Sequence, residues 1–166
     1  FLLKKILLLS DTHSYIDDRI LHYVDSVDEV WHAGDIGDIT VTDQILIRKP
    51  LRAVYGNIDN NTIRSTFPLH QRFTIENVSV WITHIGGYPP KYNATTREEL
   101  KVNRPRLFIC GHSHILKVIP DAKLGLIHMN PGAAGKHGFH KVRTMLRFEI
   151  NMDKIENLEV IELGKK

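Results

Sequence analysis

Four aliphatic residues in a row, Ile6-Leu7-Leu8-Leu9, set the terms for this chain. An extended segment turns successive side chains to opposite faces, so a continuous apolar run needs burial on both sides. The run is too short for a helix of its own and reads as an interior strand of a layered α/β structure. The pattern recurs at Glu29–Ala33 and Leu51–Tyr55. Helical spacing fills the gaps. Ile20, Leu21, Val24 and Val27 follow a cap at Asp17 or Asp18, and Ile45, Leu46 and Ile47 follow a start at Thr40 or Thr42, with Pro50 as a stop. Strand–helix–strand alternation predicts a parallel sheet with helices on its faces.

The rhythm then changes. His70–Ile75 and Val78–Thr83 flank Glu76-Asn77 and read as a hairpin. A loop over Tyr88–Asn93 precedes a helix for which Thr95-Thr96 with Glu98-Glu99 offers a capping box. A strand runs into Gly111. Leu116–Ile119 with Leu124–Met129 suggests a second hairpin, turning at Asp121-Ala122. Asn130–Gly135 is a loop, and Met145–Ile150 with Ile155–Ile161 forms a terminal hairpin. The expectation is one domain over residues 1–166, with two sheets packed together and helices outside.

The bulk numbers exclude several classes. With 42% hydrophobic and 25% charged residues over 166 positions, the chain can bury a real core. The net charge of +3 is scattered along the chain, which argues against a nucleic-acid footprint. No apolar run is long enough to span a bilayer. The single cysteine forbids an internal disulfide and fits a reducing, cytoplasmic compartment. Phe1–Ile6 leads straight into a strand without a signal-peptide layout, and the absence of a starting Met leaves upstream residues open. Self-association through the terminal hairpin edge is a further expectation. The unusual count is ten histidines.

Those histidines cluster with other donors at strand ends. The five apolar runs terminate in Asp11 and His13, Asp35, Asn57, His84, and His112 and His114. In extended backbone residues i and i+2 share a side, so His112 and His114 are expected to leave their strand together. Loops at the carboxyl ends of α/β strands share one crevice, so these seven donors converge there. Seven exceed one tetrahedral zinc and suit two ions with a shared carboxylate. Two Asp, one Asn and four His fit Mn²⁺ first, with Fe²⁺, Ni²⁺ or Zn²⁺ also suited. Gly34, Gly56 and Gly111 each precede a donor and let the backbone approach closely.

Asp11-x-His13, Gly34-Asp35, Gly56-Asn57-x-Asp59, His84-x-Gly86 and Gly111-His112-x-His114, in that order, resemble the calcineurin-like metallophosphoesterase family. The likeness is to its compact prokaryotic phosphodiesterase branch, whose later loop Asn130-Pro131-Gly132 also resembles. The resemblance implies a four-layer sandwich of two mixed β-sheets flanked by helices. It implies one metal held by Asp11, His13, Asp35 and His114 and another by Asp35, Asn57, His84 and His112, with Asp35 bridging. It implies hydrolysis of small or aryl phosphodiesters by a metal-bridging hydroxide, with the ions ~3.5–4 Å apart. Many family members carry a histidine where this chain has Ile58, so good leaving groups are expected. His137, His140 and Lys136 are candidates to replace that histidine. The alternatives are a non-catalytic metal-binding scaffold, like the small retromer subunit of this fold, or a monoesterase or nuclease.

The remaining polar residues read more plainly. Asp59 and Asp38 are expected to shape turns or support ligands. His22 and His70 are structural or exposed, His32 and His128 are strand residues, and Cys110 is packing. Tyr88, Pro89, Pro90 and Tyr92 form either a substrate-contacting lip or an ordinary exposed loop.

Overall fold

The computed structural model describes residues 3–166, so Phe1 and Leu2 of the leading segment lie outside the described residues. The alternation of the aliphatic runs sorts them between layers. In β1 (Leu3–Leu9), Leu7 and Leu9 face one core while Ile6 and Leu8 face another. Val30 and Trp31 divide the same way in β2 (Glu29–His32). This is why both faces are apolar: β1 lies inside a sheet covered on both sides.

The first core is closed by three short helices, α1 (Asp18–Val24), α2 (Thr40–Leu46) and α3 (Asn61–Thr66), which contribute Ile20 and Val24, Val41 and Ile45, and Ile63. Their sheet has the order β12-β11-β1-β2-β3, with β3 at Leu51–Ala53, β11 at Val142–Asn151 and β12 at Lys154–Lys165. Pairing among β1, β2 and β3 is parallel, and β11 is antiparallel to β1.

The second core fills the space between two sheets. It joins Leu146, Phe148 and Ile150 of β11 to Val80 and Ile82 of β5 (Val78–Thr83) and to Leu107 and Ile109 of β8 (Leu107–Ile109). The second sheet has the order β4-β5-β8-β10-β9, with β4 at His70–Ile75, β9 at Leu116–Asp121 and β10 at Leu126–Pro131. Its outer face, including Trp81, Phe108 and Cys110, packs on Leu100 of α4 (Ala94–Val102). Helices, sheet, sheet and helix make the four layers expected.

Several local expectations need correction. Thr40 is the first helical residue and no cap. Ile39 holds the cap position without a side-chain bond, and Asp38 Oδ1 accepts from Thr40 N–H and its hydroxyl at 2.9 and 2.8 Å. Leu46 and Ile47 are exposed, so only Ile45 of that trio reaches the core. Asn93, not the Thr95-Thr96 pair, caps α4 by accepting from Thr96 N–H. The Tyr88–Asn93 loop carries a short hairpin of β6 (Gly87–Tyr88) and β7 (Lys91–Tyr92). The sequence reading missed α3 because a six-residue helix with one buried side chain has no visible period. No helix among the described residues is long and apolar enough to cross a membrane.

The carboxyl ends of β1, β2, β3, β5 and β8 therefore emerge at one edge of the two sheets, and all five carry candidate donors.

Candidate metal centre

Five of the seven predicted donors sit on left-handed backbone: Asp11 (φ 54°), His13 (45°), Asp35 (54°), His112 (71°) and His114 (62°). Such backbone is uncommon outside glycine and costs about 1–3 kcal/mol per residue. Main-chain bonds between the loops hold it, among them Asp11 N–H to Gly34 O at 2.9 Å and His13 N–H to Asp35 O at 3.0 Å. The extended-backbone argument for His112 and His114 is therefore wrong in its reason. β8 ends at Ile109, and the two histidines turn through left-handed positions into different halves of the site.

Two donor groups result. Asp11, His13 and His114 form one, and Asp35, His84 and His112 the other; within each, the donor atoms lie within 4.8 Å of one another. Asp35 Oδ2 stands between them, 3.5 Å from His13 Nε2 and 3.2 Å from His84 Nε2. Asp11 Oδ1 lies 3.2 Å from His114 Nε2. Asn57 Oδ1 reaches the second group, 3.0 Å from His112 Nδ1. The site thus brings together all seven predicted donors.

Supporting bonds fix which atoms are free. Asp11 Oδ2 accepts from the Ser10 hydroxyl at 2.6 Å and from His112 N–H at 3.1 Å, which leaves Oδ1 without a partner. His84 Nδ1 bonds Ala33 O at 2.7 Å, which turns Nε2 toward Asp35 Oδ2, 3.2 Å away, and neither His84 Nε2 nor His13 Nε2 has a hydrogen-bond partner. Buried atoms left this way are costly unless a cation joins them. Burial pushes the His84 imidazole down, but Asp35 and Asp11 outweigh it, and its pKa is raised. Burial raises the Asp11 carboxyl, yet His114, His13 and His84 hold it below the carboxylate range. Both shifts say that the pocket favours positive charge beside its carboxylates. These residues fit divalent metal ions held by N and O donors.

Further residues shape the loops. The buried Asp59 carboxylate accepts from Ile36, Gly37 and Gly56 N–H at 3.1, 2.8 and 2.7 Å, tying the Asp35 and Asn57 loops together. Arg64 of α3 donates to Asp59 O and Asn57 O, a role hidden with that helix. Asn130 Nδ2 donates to Gly111 O at 2.9 Å. His32 is a satisfied strand histidine: Nδ1 accepts from Gly34 N–H, Nε2 pairs with Thr12 Oγ1, and burial pushes its pKa down to about 4. Ser10 and Thr12 were missed because a hydroxyl between donors has no spacing signature.

The remaining candidates divide. His137 is exposed, with its ring 4.8 Å from that of His13, and the His140 ring is 5.2 Å from that of His114. Lys136 instead stands over the Tyr15 ring. The Ile58 side chain is 47% exposed, while its N–H donates to Asp35 Oδ1 at 3.1 Å. Tyr92 is buried with its hydroxyl on Asp121, so it forms no lip. His70 accepts from Trp81 Nε1, and Cys110 packs in the outer core.

Comparison with known proteins bears on the family and the fold. No curated protein matches the chain. Among solved structures, a zinc complex of Vps29 from Entamoeba histolytica aligns at a TM-score of 0.74 and 16% identity, covering 96% of this chain and 98% of that one. A predicted phosphoesterase from Streptococcus pneumoniae aligns at 0.70 and 20%, covering 98% and 91%. An archaeal phosphodiesterase aligns at 0.71 and 20%, covering 96% and 99%. At these identities the likeness is one of fold. The calcineurin-like phosphoesterase superfamily domain, however, matches residues 5–153, nearly the whole sequence, and the chain belongs to that superfamily.

Proposed function

We propose that this chain is a phosphodiesterase that works with two divalent metal ions. The observation that carries the reading is the pair of donor groups joined by Asp35, with Asp11 Oδ1, His13 Nε2 and His84 Nε2 buried and unpartnered. Asp11, His13, Asp35 and His114 would hold one ion, and Asp35, Asn57, His84 and His112 the other. Bound there, such ions lower the pKa of a coordinated water and neutralise charge on a phosphate ester. Mn²⁺ is the first expectation. The likeness to an archaeal phosphodiesterase supports the diester over the monoester.

The chain's own residues do the positioning. Ala33 O holds the His84 tautomer, the Ser10 hydroxyl and His112 N–H fix the rotation of the Asp11 carboxylate, and Ile58 N–H orients Asp35. The Ile58 side chain has no proton to give, and a general acid is worth ~10²–10⁴-fold where one acts. The enzyme should therefore favour aryl esters, whose leaving groups need little protonation. His137, exposed against His13, is the accessory residue we assign to the rim, ahead of Lys136, which is engaged with Tyr15.

The second reading is a metal-binding scaffold of the same fold, which the likeness to Vps29 favours. Hydrolysis of bis(p-nitrophenyl) phosphate separates the two. Chelator-stripped protein should be inactive, regain activity with Mn²⁺, Ni²⁺ or Zn²⁺, and lose it in His114→Ala. Metal uptake without hydrolysis would favour the scaffold.

A further inference from the structure

Beside the donor cluster lies a cavity of about 240 Å³, bounded by Gly86, Tyr88, His112, Ser113, Lys117 and His128 among others. Its polar atoms are unequally used. Asn93 and Asn130 also line it, but both amides serve the fold: Asn93 caps α4 and bonds Ile85 O, and Asn130 bonds Gly111 O and Gly132 N–H. His128 differs. It is 1% exposed, its ring belongs to the cavity wall, and its Nδ1 is sealed as well as unpartnered. Burial pushes its pKa down to about 4, so at neutral pH the ring is an uncharged hydrogen-bonding group. Ser113 Oγ accepts from Ile115 N–H and Asn130 Nδ2, which leaves its own proton available to donate.

The mouth of the cavity is aromatic and cationic. Lys117 Nζ stands 3.1 Å from the centroid of the Tyr88 ring, and Lys117 forms no salt bridge among the described residues. This places uncompensated positive charge beside an aromatic face, which disfavours a cationic guest and suits a neutral ring tied to an anion.

The cavity shares His112 with the donor cluster, so an ester arm of a diester held at that cluster has the cavity within reach.

We propose that this cavity is a specificity subsite for an ester arm of the substrate, and that it takes an uncharged ring with hydrogen-bonding groups at its edge, as in a nucleoside. Tyr88 offers for stacking the face that Lys117 leaves free, Ser113 donates a hydrogen bond, and the sealed His128 ring forms the wall behind them. The inference rests on the phosphodiesterase reading for its reacting end, and on the cavity alone for its choice of arm.

The test uses three diesters sharing p-nitrophenolate as leaving group, with retained arms of thymidine 5′-yl, methyl and choline, on the metal-reconstituted protein. Wild type should prefer the thymidine arm in kcat/KM, with choline last. Tyr88→Ala, at an exposed position, should cut the thymidine-over-methyl ratio by about tenfold, the order expected for loss of one stacked ring. An unchanged ratio, or a preference for choline, would overturn the subsite. A second readout needs no turnover. Thymidine 5′-phosphate should shift the His128 imidazole ¹⁵N resonances of labelled protein, and methyl phosphate should not. If no diester is hydrolysed with any metal, the hydrolase reading fails. The resonance shift alone then decides the cavity, with equal or absent shifts refuting it.

Discussion

Replacing Gly56 with alanine probes how closely the loops are packed around Asp35. A Cβ on Gly56 would stand 2.0 Å from Asp35 Oδ1, 2.3 Å from Asp35 N and 2.8 Å from Asp35 Cγ. The carboxylate oxygen could rotate away, but the main-chain nitrogen cannot. The two loops would have to separate by about an ångström, breaking or stretching the Ile58 N–H bond to Asp35 Oδ1 and the Gly56 N–H bond to Asp59. Overpacking of this kind costs about 1–3 kcal/mol. The Gly56 backbone lies outside the left-handed region, so alanine also brings its usual gain of about 0.4–1 kcal/mol through the unfolded chain. The net loss of roughly 1–2 kcal/mol should lower Tm by about 2–8 °C for a protein this size. Disturbing a carboxylate shared by both donor groups should weaken metal binding by about 10–100-fold, as loss of a supporting contact does. Gly125→Ala is the control: Gly125 has φ +68° and nothing within 4 Å, so it should cost about 1–2 kcal/mol in stability from the backbone alone, with wild-type metal affinity. Thermal melts and calorimetric Mn²⁺ titrations read both effects. Wild-type Tm and affinity in Gly56→Ala would refute the argument.

Two other perturbations follow from the same loops. Asp59→Ala would strand the Ile36 and Gly56 N–H groups in a buried setting and the Gly37 N–H in a partly buried one, costing about 2–5 kcal/mol in a urea titration; a loss below ~1 kcal/mol would contradict its role as a loop tie. Metal-free protein should lose stability in mild acid. The folded-state pKa values of His32 and His128 are depressed to about 4, so the unfolded chain binds more protons between pH 6.5 and 4. Each histidine's contribution is present above pH 6.5 and falls away below it, by about 3 kcal/mol at most over the interval. His84 acts oppositely: its raised pKa contributes stability below pH 6.5 that is lost only as pH rises through the folded value, so it does not cancel the decline. A Tm that holds or rises from pH 7 to 5 in chelator would refute this.

Much of the architecture was legible because burial on both faces leaves an unmistakable mark. Ile6–Leu9 is apolar throughout since Leu7 and Leu9 meet the helices while Ile6 and Leu8 meet the second sheet. The hairpin at Glu76-Asn77 was legible for a local reason, a short turn with Glu76 at φ 51° between two β-rich runs. The seven donors were legible because each ends an apolar run, and a parallel topology collects such ends. Pairing within the site was legible through the family resemblance, which put His114 with Asp11 and His112 with His84 as the structure does, and not through periodicity, because the pairing depends on left-handed turns after Ile109. Helix α3 and its Arg64 were invisible for want of an apolar stripe, and the capping role of Asn93 is hidden because it ends a loop just before a Thr-Glu pattern that matches a capping box. The unpartnered His128 Nδ1 was beyond reach, since a strand histidine becomes informative only when its surroundings are known.

The count of divalent ions bound per chain tests the central claim most directly. Stripped protein loaded with excess Mn²⁺ or Zn²⁺, desalted and measured by elemental analysis, should hold two ions per chain, and His114→Ala, missing a donor of one group only, should hold about one. A wild-type chain that binds one ion or none would contradict a site built from two donor groups around Asp35.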